Sequence, residues 1–358
     1  MMRGSIRCRQ RIAVSFFALI VAVSSASPWV AAEVPALQQP LFFTVVGERQ
    51  LTFEGWNGNP IWSPDGSQIA YTHGEHRLRT PAINGAGGDI WVMNSEGTGH
   101  HALTTDGLHN RYPSWSPDGQ RIVFSSHRTG KYEVWSVKND GTDFVQLTTH
   151  KKSNVHPVWS HKGDQIVFAS ARTGGTALWL MNPDGTGLHR ITPEGTGAYY
   201  ASWGPDDAML AFATRGLTPL PSWKRLVSWW SNHDSVVFDL LNPQMGVPQH
   251  LWLLNLRDGG FRQMTQGDSV NETPVWSPDG RFLVFSRRAT DRTINEFSEQ
   301  SDLWIMHLAS GMMQQLTNDP ANELYPHWSP DGGQIAFMST KPDKSNVWVL
   351  ALREAKTF

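Results

Sequence analysis

Two series of polar and aromatic residues recur at fixed distances before a repeated tryptophan. The −5 series, which stands five residues before that tryptophan, is Asn57, Asn110, Asn154, Ala198, Asn271 and Glu323. The −3 series, which stands three residues before it, is Asn59, Tyr112, His156, Tyr200, Thr273 and Tyr325. Amides, carboxylates and aromatic rings suit polar ligands, sugars or a peptide tail. Asparagine is also a common turn residue and tyrosine can simply pack, so a structural interpretation stays open for both series.

The tryptophan that anchors both series belongs to a unit that occurs six times. The first tryptophans of the units are Trp62, Trp115, Trp159, Trp203, Trp276 and Trp328, and the second ones are Trp91, Trp135, Trp179, Trp252, Trp304 and Trp348. In five units a threonine follows the second tryptophan after 13 residues and precedes the next first tryptophan by 11. Only the interval between the two tryptophans varies, from 20 to 49 residues. Repeats of this length are typical of propellers and related arrays.

Each unit reads as four strands, named a to d. Strand a carries the first tryptophan, and Ser-Pro-Asp-Gly leads into strand b, because proline presets φ near −65° and glycine supplies the positive φ of a hairpin turn. Strand c carries the second tryptophan and strand d ends in the threonine. Tryptophan and β-branched residues suit strands that are buried on both faces, as in stacked blades. We therefore predict an all-β fold, a six-bladed β-propeller of four-stranded antiparallel blades.

The sixth unit lacks a strand d, because the chain ends within about ten residues of its strand c. A segment near the other end of the chain has the missing pattern, since Leu51-Thr52 stands ten residues before Trp62. We predict that residues 48–52 complete the last blade and close the ring without a free edge. The propeller is then expected to span 47–358, after an N-terminal extension of 33–46.

Residues 1–32 have the features of a cleavable signal peptide. Four arginines precede the apolar segment 12–23, and small residues follow it up to Ala32. Twelve apolar residues are too few to span a bilayer comfortably, so we expect export to the periplasm and no transmembrane span in the mature chain. The only cysteine, Cys8, lies in this segment, so no disulfide is expected. A formal charge of −2 without a long basic run argues against nucleic acid as a partner.

The repeat x-Pro-x-Trp-Ser-Pro-Asp-Gly, followed by segments such as "DIWVMN" (89–94), resembles the TolB-type propeller repeat. The resemblance covers roughly residues 47–350. It implies a periplasmic propeller that binds protein partners. TolB-type proteins carry a separate α/β domain before the propeller, whereas only 33–46 separate the expected cleavage site from the propeller here, so we expect that domain to be lacking.

All length variation falls between strands b and c, so every insertion emerges on one face of the disc. That face also receives the d-to-a connectors and is called the connector face. Binding residues usually lie on loops of a rigid scaffold, so we expect the site there. The residues predicted to contact a ligand or partner around the channel mouth are Asn110, Tyr112, Asn154, His156, Tyr199, Tyr200, Asn271, Glu272, Glu323 and Tyr325.

The longest insertion, 216–249 in blade four, provides a second candidate surface. Ser222 can cap a short helix that carries a cluster of tryptophans. Exposed tryptophan clusters are enriched at binding sites, so Trp223, Trp229 and Trp230 are predicted partner contacts, as a lid or a docking element. The alternative is that this apolar face folds onto the propeller's own rim.

The sequence contains no complete catalytic motif. It has no G-x-S-x-G elbow, no H-E-x-x-H and no paired cysteines. We predict a non-enzymatic periplasmic scaffold that binds an envelope protein or polysaccharide as a monomer, without cofactor or metal. The alternative is a metal-assisted carbohydrate-active enzyme, since some propeller-shaped polysaccharide lyases resemble this repeat and hold a metal through histidines. Its candidate residues are His156, His327, Glu272 and Glu323.

Overall fold

The computed structural model describes residues 41–74, 87–216, 248–288, 300–341 and 344–355. All of them belong to one compact unit, Gln39–Phe358. The predicted signal peptide, most of the N-terminal extension and nearly all of the blade-four insertion, with Trp223, Trp229 and Trp230, lie outside these residues. Within the described ranges, no helix has the length and apolar character that a membrane crossing requires.

The described residues form six antiparallel sheets of four strands each, which are the blades. Blades one to three consist of β2 (Trp56–Trp62), β3 (Gln68–Gly74), β4 (Asp89–Asn94) and β5 (His101–Ala102); β6 (Arg111–Trp115), β7 (Arg121–Ser126), β8 (Glu133–Lys138) and β9 (Val145–Gln146); and β10 (Asn154–Trp159), β11 (Ile166–Ser170), β12 (Ala177–Met181) and β13 (His189–Arg190). Blades four to six consist of β14 (Tyr199–Trp203), β15 (Met209–Thr214), β16 (His250–Asn255) and β17 (Phe261–Gln263); β18 (Val270–Trp276), β19 (Phe282–Arg288), β20 (Asp302–His307) and β21 (Met313–Gln315); and β22 (Glu323–Trp328), β23 (Gln334–Ser339), β24 (Asn346–Glu354) and β1 (Phe43–Gln50). The predicted six-bladed propeller is confirmed.

Strand b of every blade buries one large aromatic ring opposite the second tryptophan on strand c. In the strand register Phe124 pairs with Trp135, for example. The six b-strand rings are almost completely buried and are Tyr71, Phe124, Phe168, Phe212, Phe285 and Phe337. The first tryptophans pack between blades, as when Trp203 of blade four joins a buried cluster with Val167 and Leu180 of blade three. Since each buried ring contributes roughly 1.5–3 kcal/mol, the repeated aromatic residues maintain the blade stack.

The Ser-Pro-Asp-Gly segment forms the tight turn that its residues predict. In blade two the Gly119 amide donates to the Ser116 carbonyl over 2.9 Å, and Gly119 has a φ of 67°. The Ser116 hydroxyl donates to Asp118 Oδ1 over 2.5 Å and accepts from the Arg121 amide over 2.9 Å. The hydrogen bond from Ser116 is the main cause that lowers the pKa of the Asp118 carboxyl. The repeated Ser-Pro-Asp-Gly motif therefore has a structural role at the turn between strands a and b.

The N-terminal strand closes the ring, as the register of Leu51-Thr52 indicated. Strand β1 pairs with β24 as the outer strand of blade six, and the Leu51 amide donates to the Val347 carbonyl over 2.8 Å. The observed strand begins at Phe43. Its first residue is also held by blade five, because Gln314 Oε1 accepts from the Phe43 amide over 3.0 Å while Gln314 Nε2 donates to the Phe43 carbonyl over 2.6 Å. Blades five and six are thus joined across the closure.

A bulge recurs at one level of all six innermost strands. The register of each strand a shifts where its −3 residue stands, as between Arg111 and Ser114 in blade two. Every −3 residue has a φ in the left-handed region, from 51° at Thr273 to 57° at Tyr112. A bulge with one left-handed residue bends a strand and changes the direction of its side chain. The six bulges therefore place the −3 series at a common level of the ring.

Candidate functional site

The −3 residues line a narrow cavity in the channel, which we call the neck. It has a volume of about 140 Å³, and its wall consists of Asn59, Tyr112, His156, Tyr200, Thr273 and Tyr325, the residues that follow them, and His327. In five blades the residue after the bulge is a proline. A residue before proline avoids the right-handed helical region, so a helical turn is disfavoured at these positions. Left-handed non-glycine residues cost free energy and often mark functional sites.

Four aromatic rings face one another in the neck. The centroid of Tyr112 lies 3.9 Å from that of His156, which lies 4.4 Å from that of Tyr200. The Tyr325 ring lies 6.1 Å from Tyr112 and 6.0 Å from Tyr200. Burial raises the pKa of all three phenols above the usual tyrosine value, and the neighbouring Tyr325 adds to that effect at Tyr112 and Tyr200. All three phenols are therefore protonated at neutral pH.

His156 is the most enclosed polar ring of the neck. Its side chain is almost fully buried, and its backbone amide donates to the Ser125 hydroxyl over 3.1 Å. Burial lowers the pKa of the imidazole to about 3, because the charged form is poorly solvated there. Neither ring nitrogen has a hydrogen-bond partner among the described residues. A neutral imidazole offers one donor and one acceptor to an occupant of the neck.

A layer of charged residues lies next to the aromatic ring on its connector side. Arg111 and Glu272 directly precede Tyr112 and Thr273 in their strands, and the Arg111 charge offsets part of the effect of burial on the pKa of the Tyr112 phenol. Burial raises the pKa of Glu272, and the nearby charges of Arg288 and then Arg215 offset part of that effect. The charge of Glu272 in turn acts on Tyr200 and Tyr325. We call this layer, with the aromatic ring below it, the mouth.

The −5 asparagines are held within the joints between neighbouring blades. Asn110 is fully buried, and its Nδ2 donates to Asp106 Oδ1 over 2.6 Å and to Asp89 Oδ1 over 3.1 Å. In the next blade, Asn154 Nδ2 donates to Glu133 Oε2 over 2.7 Å. Asn271 Nδ2 donates to the Gln249 carbonyl over 2.9 Å. These amides join blades, and a ligand contact at Asn110, Asn154 or Asn271 stays a prediction.

Glu323 occupies the −5 position of blade six and lies in the same kind of joint. Its carboxylate is fully buried and pairs with Lys341 Nζ over 3.1 Å. The same ammonium contacts Asp319 and lies 2.8 Å from Glu48 Oε1. Burial raises the pKa of Glu323 to about 7 despite the lysine. Glu323 is thus placed with a carboxylate cluster inside a joint, whereas Glu272 is placed at the mouth.

Tyr199 provides support behind the mouth. It is almost fully buried, and its ring lies 4.9 Å from that of Tyr200 at an interplanar angle of 82°. Such an edge-on contact is a favourable arrangement of two aromatic rings and limits the orientations of Tyr200. A direct ligand contact at Tyr199 remains a prediction.

The opposite end of the channel is a wider vestibule of about 470 Å³. It is lined by the six first tryptophans and the adjoining Ser-Pro turns, and it shares Ile61, Val158, Ser202, Val275 and His327 with the neck. The Trp203 indole donates to the Val158 carbonyl of the preceding blade over 3.1 Å. These tryptophans therefore serve the packing between blades as well as the vestibule wall.

The histidines proposed for a metal do not form a ligand cluster in the described part of the chain. His327 stands two residues deeper in its strand than the −3 level of His156, and its Nδ1 accepts from the Trp62 amide over 3.4 Å. Burial lowers its pKa to about 4. No group of three or more His, Cys, Asp or Glu side chains suited to a metal occurs among the residues described. Glu323 lies in its joint rather than beside either histidine.

Three residues of the mouth were missed by the sequence reasoning, namely Arg111, Arg215 and Arg288. Arg111 could have been found because it directly precedes a −3 residue. Arg215 and Arg288 each stand three residues after the buried ring of strand b, in blades four and five. That spacing places both arginines at the connector end of strand b. The repeat therefore contained a signal for their position, although a weaker one than the adjacency of Arg111 to a −3 residue.

Comparisons with known proteins agree with this architecture. Residues 44–219 match the family model of the TolB beta propeller domain. An uncharacterized peptidase of Bacillus subtilis, YuxL, is 35% identical over 86 residues, which are 24% of this chain and 12% of the relative. The Tol-Pal system protein TolB of Francisella tularensis subsp. mediasiatica is 29% identical over 91 residues, which are 25% of this chain and 19% of the relative. The matches thus span only a small part of these relatives' lengths.

Solved structures show the same fold at low sequence identity. TolB from Acinetobacter baumannii superposes with a TM-score of 0.55 at 16% identity over 84% of this chain and 64% of that one. A gluconolactonase from Xanthomonas campestris has a TM-score of 0.56 at 13% identity, covering 87% and 94%. An oligogalacturonate lyase in complex with manganese has a TM-score of 0.50 at 13% identity, covering 88% and 97%. The fold is therefore common to TolB and to enzymes of different activity. With six closed blades and this family match, the chain is a TolB-like six-bladed β-propeller.

Proposed function

We propose that this chain is a non-enzymatic periplasmic propeller that binds an envelope protein or polysaccharide at the mouth of its channel. One observation carries the proposal: four aromatic rings line a cavity of about 140 Å³ in the channel, and Arg111 and Glu272 directly precede two of its wall residues. Concave sites with mostly apolar walls and a few convergent polar groups are the usual form of ligand sites.

The scaffold holds this mouth in one arrangement before any ligand arrives. Each −3 side chain extends from a bulge in an innermost strand, and those strands are fixed between neighbouring blades. The Tyr325 ring lies 6.1 Å from that of Tyr112 and 6.0 Å from that of Tyr200, so the three rings limit one another's orientations. Because side chains already fixed lose little conformational entropy on binding, this preorganisation favours recognition.

The envelope setting is supported by the sequence and by one relative. Residues 1–32 have the pattern of a signal peptide. The relative from Francisella tularensis is named for the Tol-Pal system. We extend that setting to this chain, and we expect a monomer whose bound partner belongs to the envelope.

The test is site-specific photocrosslinking in the organism that encodes the protein. The full chain carries p-benzoylphenylalanine in place of Tyr200 at the mouth, and the matched control carries it in place of Phe144, which is 39% exposed and directly precedes the outer strand of blade two. We expect covalent adducts with one envelope component from position 200 and none from position 144. Equal adducts from both positions, or none from position 200, would contradict the mouth as the binding site.

A metal analysis of the same protein tests the enzymatic alternative. The chain is purified without chelator, and divalent metals are measured against protein concentration. We expect less than a stoichiometric amount of any divalent metal. One bound ion per chain would favour the metal-assisted alternative and would direct attention to activity on polysaccharides.

A further inference from the structure

The vestibule is walled mainly by the carbon atoms of indole rings. At about 470 Å³ its volume is roughly three times that of the cavity of about 150 Å³ that holds benzene in an engineered protein. The Trp203 N–H donates to the preceding blade, and the Nε1 atoms of the other five first tryptophans are buried as well. The ring carbons, rather than the N–H groups, therefore border the cavity. Indole is the aromatic side chain that attracts cations most strongly, so this wall favours a positively charged occupant.

Carboxylates lie within hydrogen-bond distance of the serines in this wall. The Ser63 hydroxyl donates to Asp65 Oδ1 over 2.6 Å, and the Ser329 hydroxyl donates to Asp331 Oδ1 over the same distance. The same contact recurs in two further blades, between Ser160 and Asp164 and between Ser277 and Asp279. The serine hydroxyl is the main cause that lowers the pKa of Asp65 and of Asp331, so both carboxylates are charged at neutral pH.

Most of this negative charge is not neutralised by the described part of the chain. Asp279 pairs with Arg281 Nε over 2.6 Å. In contrast, no lysine or arginine nitrogen of the described residues lies within 4.0 Å of the carboxylates of Asp65, Asp164 or Asp331. The described residues that line the vestibule include neither lysine nor arginine. The cavity is therefore complementary in charge to a cation.

Blades three and four depart from the repeat at this end of the channel. Lys162 stands where the turn of most blades has an aspartate, and it brings one positive charge. Asp207 replaces the turn glycine of blade four, with a left-handed φ of 57°. Its carboxylate accepts from the Lys162 amide over 2.8 Å and pairs with Nδ1 of His161, a wall residue, over 2.9 Å. Although the left-handed conformation costs free energy outside glycine, Asp207 adds a carboxylate that offsets the charge of Lys162.

The hydrogen bonds of the wall favour a quaternary ammonium ion over a primary one. A primary ammonium carries three donors that need acceptors. The hydroxyls of Ser63 and Ser329 already donate to carboxylates, and they accept from the amides of Gln68 and Gln334. A quaternary ammonium ion has no N–H group and needs no such acceptor. Ser202, which is 8% exposed, lines the vestibule, and its Oγ has no hydrogen-bond partner among the described residues, so it suits a hydroxyl on the ligand.

We propose that the vestibule binds a small quaternary ammonium ion that carries a hydroxyl group. Its methyl groups contact the indole rings, its charge is balanced by the carboxylates bonded to the wall, and its hydroxyl reaches Ser202. This site lies at the opposite end of the channel from the mouth, so the inference does not depend on the proposed function. A neutral molecule of the same shape loses the attraction to the indoles and the carboxylates, and an anion is repelled.

The experiment is a calorimetric titration of the full chain with choline and with 3,3-dimethylbutan-1-ol, which has the same shape with a neutral carbon in place of the charged nitrogen. The double variant Asp65→Asn/Asp331→Asn removes two charges beside the wall, and each amide oxygen can still accept from its serine. The matched control is Asp140→Asn/Asp184→Asn, because these exposed carboxylates accept from a threonine in c–d turns that do not line the vestibule. A salt concentration of about 0.15 M screens charges beyond about 8 Å, which limits the effect of the control pair.

We expect choline to bind the unmodified chain about tenfold or more tightly than the neutral alcohol. Asp65→Asn/Asp331→Asn should weaken choline binding about fivefold or more, because two nearby negative charges are lost, while the control pair leaves it unchanged. Equal binding of choline and the alcohol, or no binding of choline, would overturn the inference. An equal effect of the two double variants would place the binding outside the vestibule and would overturn it as well. Crosslinks from position 200 test the proposed function separately.

Discussion

Glu323 makes the stability of the propeller depend on pH in a direction that can be calculated. Burial raises its pKa from 4.5 to about 7, and the ion pair with Lys341 offsets only part of the burial effect. Between pH 4.5 and 7 the folded protein keeps a proton on Glu323 that the unfolded chain has released. Stability therefore falls as pH rises through this window. The shift corresponds to at most about 3 kcal/mol at 25 °C.

The perturbation is Glu323→Gln, which keeps the shape of the side chain and removes its ionisation. The groups that act on the pKa of Glu323 are Thr317, Lys341 and Asp319, and the same lysine also pairs with Glu48 and influences the pKa of Asp302. These groups remain in the variant, so a comparison with the unmodified chain isolates Glu323. The expected result is a gain in stability relative to the unmodified chain that increases by up to about 3 kcal/mol from pH 5 to pH 8.

The assay is urea denaturation of both chains at pH 5, 6, 7 and 8, with the free energy of unfolding obtained by linear extrapolation. The control is Glu96→Gln, because the side chain of Glu96 is 74% exposed and pairs only with Arg49 in the described part of the chain. This control should follow the pH profile of the unmodified protein. A constant difference between Glu323→Gln and the unmodified chain across all four pH values would refute the reasoning.

Two further predictions concern the ring closure and the neck. Gln314→Ala removes the hydrogen bonds between blade five and the start of β1. Gln314 Oε1 accepts from the Phe42 amide over 2.7 Å, and Gln314 Nε2 donates to the Phe43 carbonyl over 2.6 Å. We expect the free energy of unfolding, measured by urea denaturation, to fall by about 1–3 kcal/mol. The control is Gln120→Ala, at an exposed position, which should leave it unchanged. An equal effect of both variants would contradict a stabilising role of the Gln314 contacts. Burial lowers the pKa of His156 to about 3, so its imidazole NMR shifts should not change between pH 5 and pH 8. A titration midpoint near pH 6.5 would contradict its buried, neutral state.

Much of the fold was predictable because the turns and strands follow from patterns of residues close together in the sequence. The turn after Trp115 follows from the residues Ser116 to Gly119 themselves, whose hydrogen bonds close it. The closing strand was predictable because Leu51-Thr52 keeps the spacing of a d strand, and the Leu51 amide indeed pairs with Val347. The strand begins at Phe43, earlier than residue 48, because Gln314 of a neighbouring blade holds its start. A contact from another blade leaves no local signal in the sequence.

The site was predictable only in part. The −3 positions stood out through their spacing, and the structure places Tyr112, His156 and Tyr200 around one cavity. Glu323 has the same spacing as the −5 asparagines, yet its carboxylate is enclosed with Lys341 because that position faces the joint between blades. Spacing identifies equivalent positions, whereas burial at each position depends on the neighbouring blade.

By itself, the sequence determined the number of blades, the order of their strands, their turns and the closure of the ring. These features follow from hydrophobic periodicity and turn chemistry, which act between residues close together in the chain. Only the tertiary structure decided that Arg111 of blade two, Arg215 of blade four and Glu272 of blade five meet at one mouth. Their proximity arises from ring closure and from bulges that turn the innermost strands, and these bring together side chains more than a hundred residues apart.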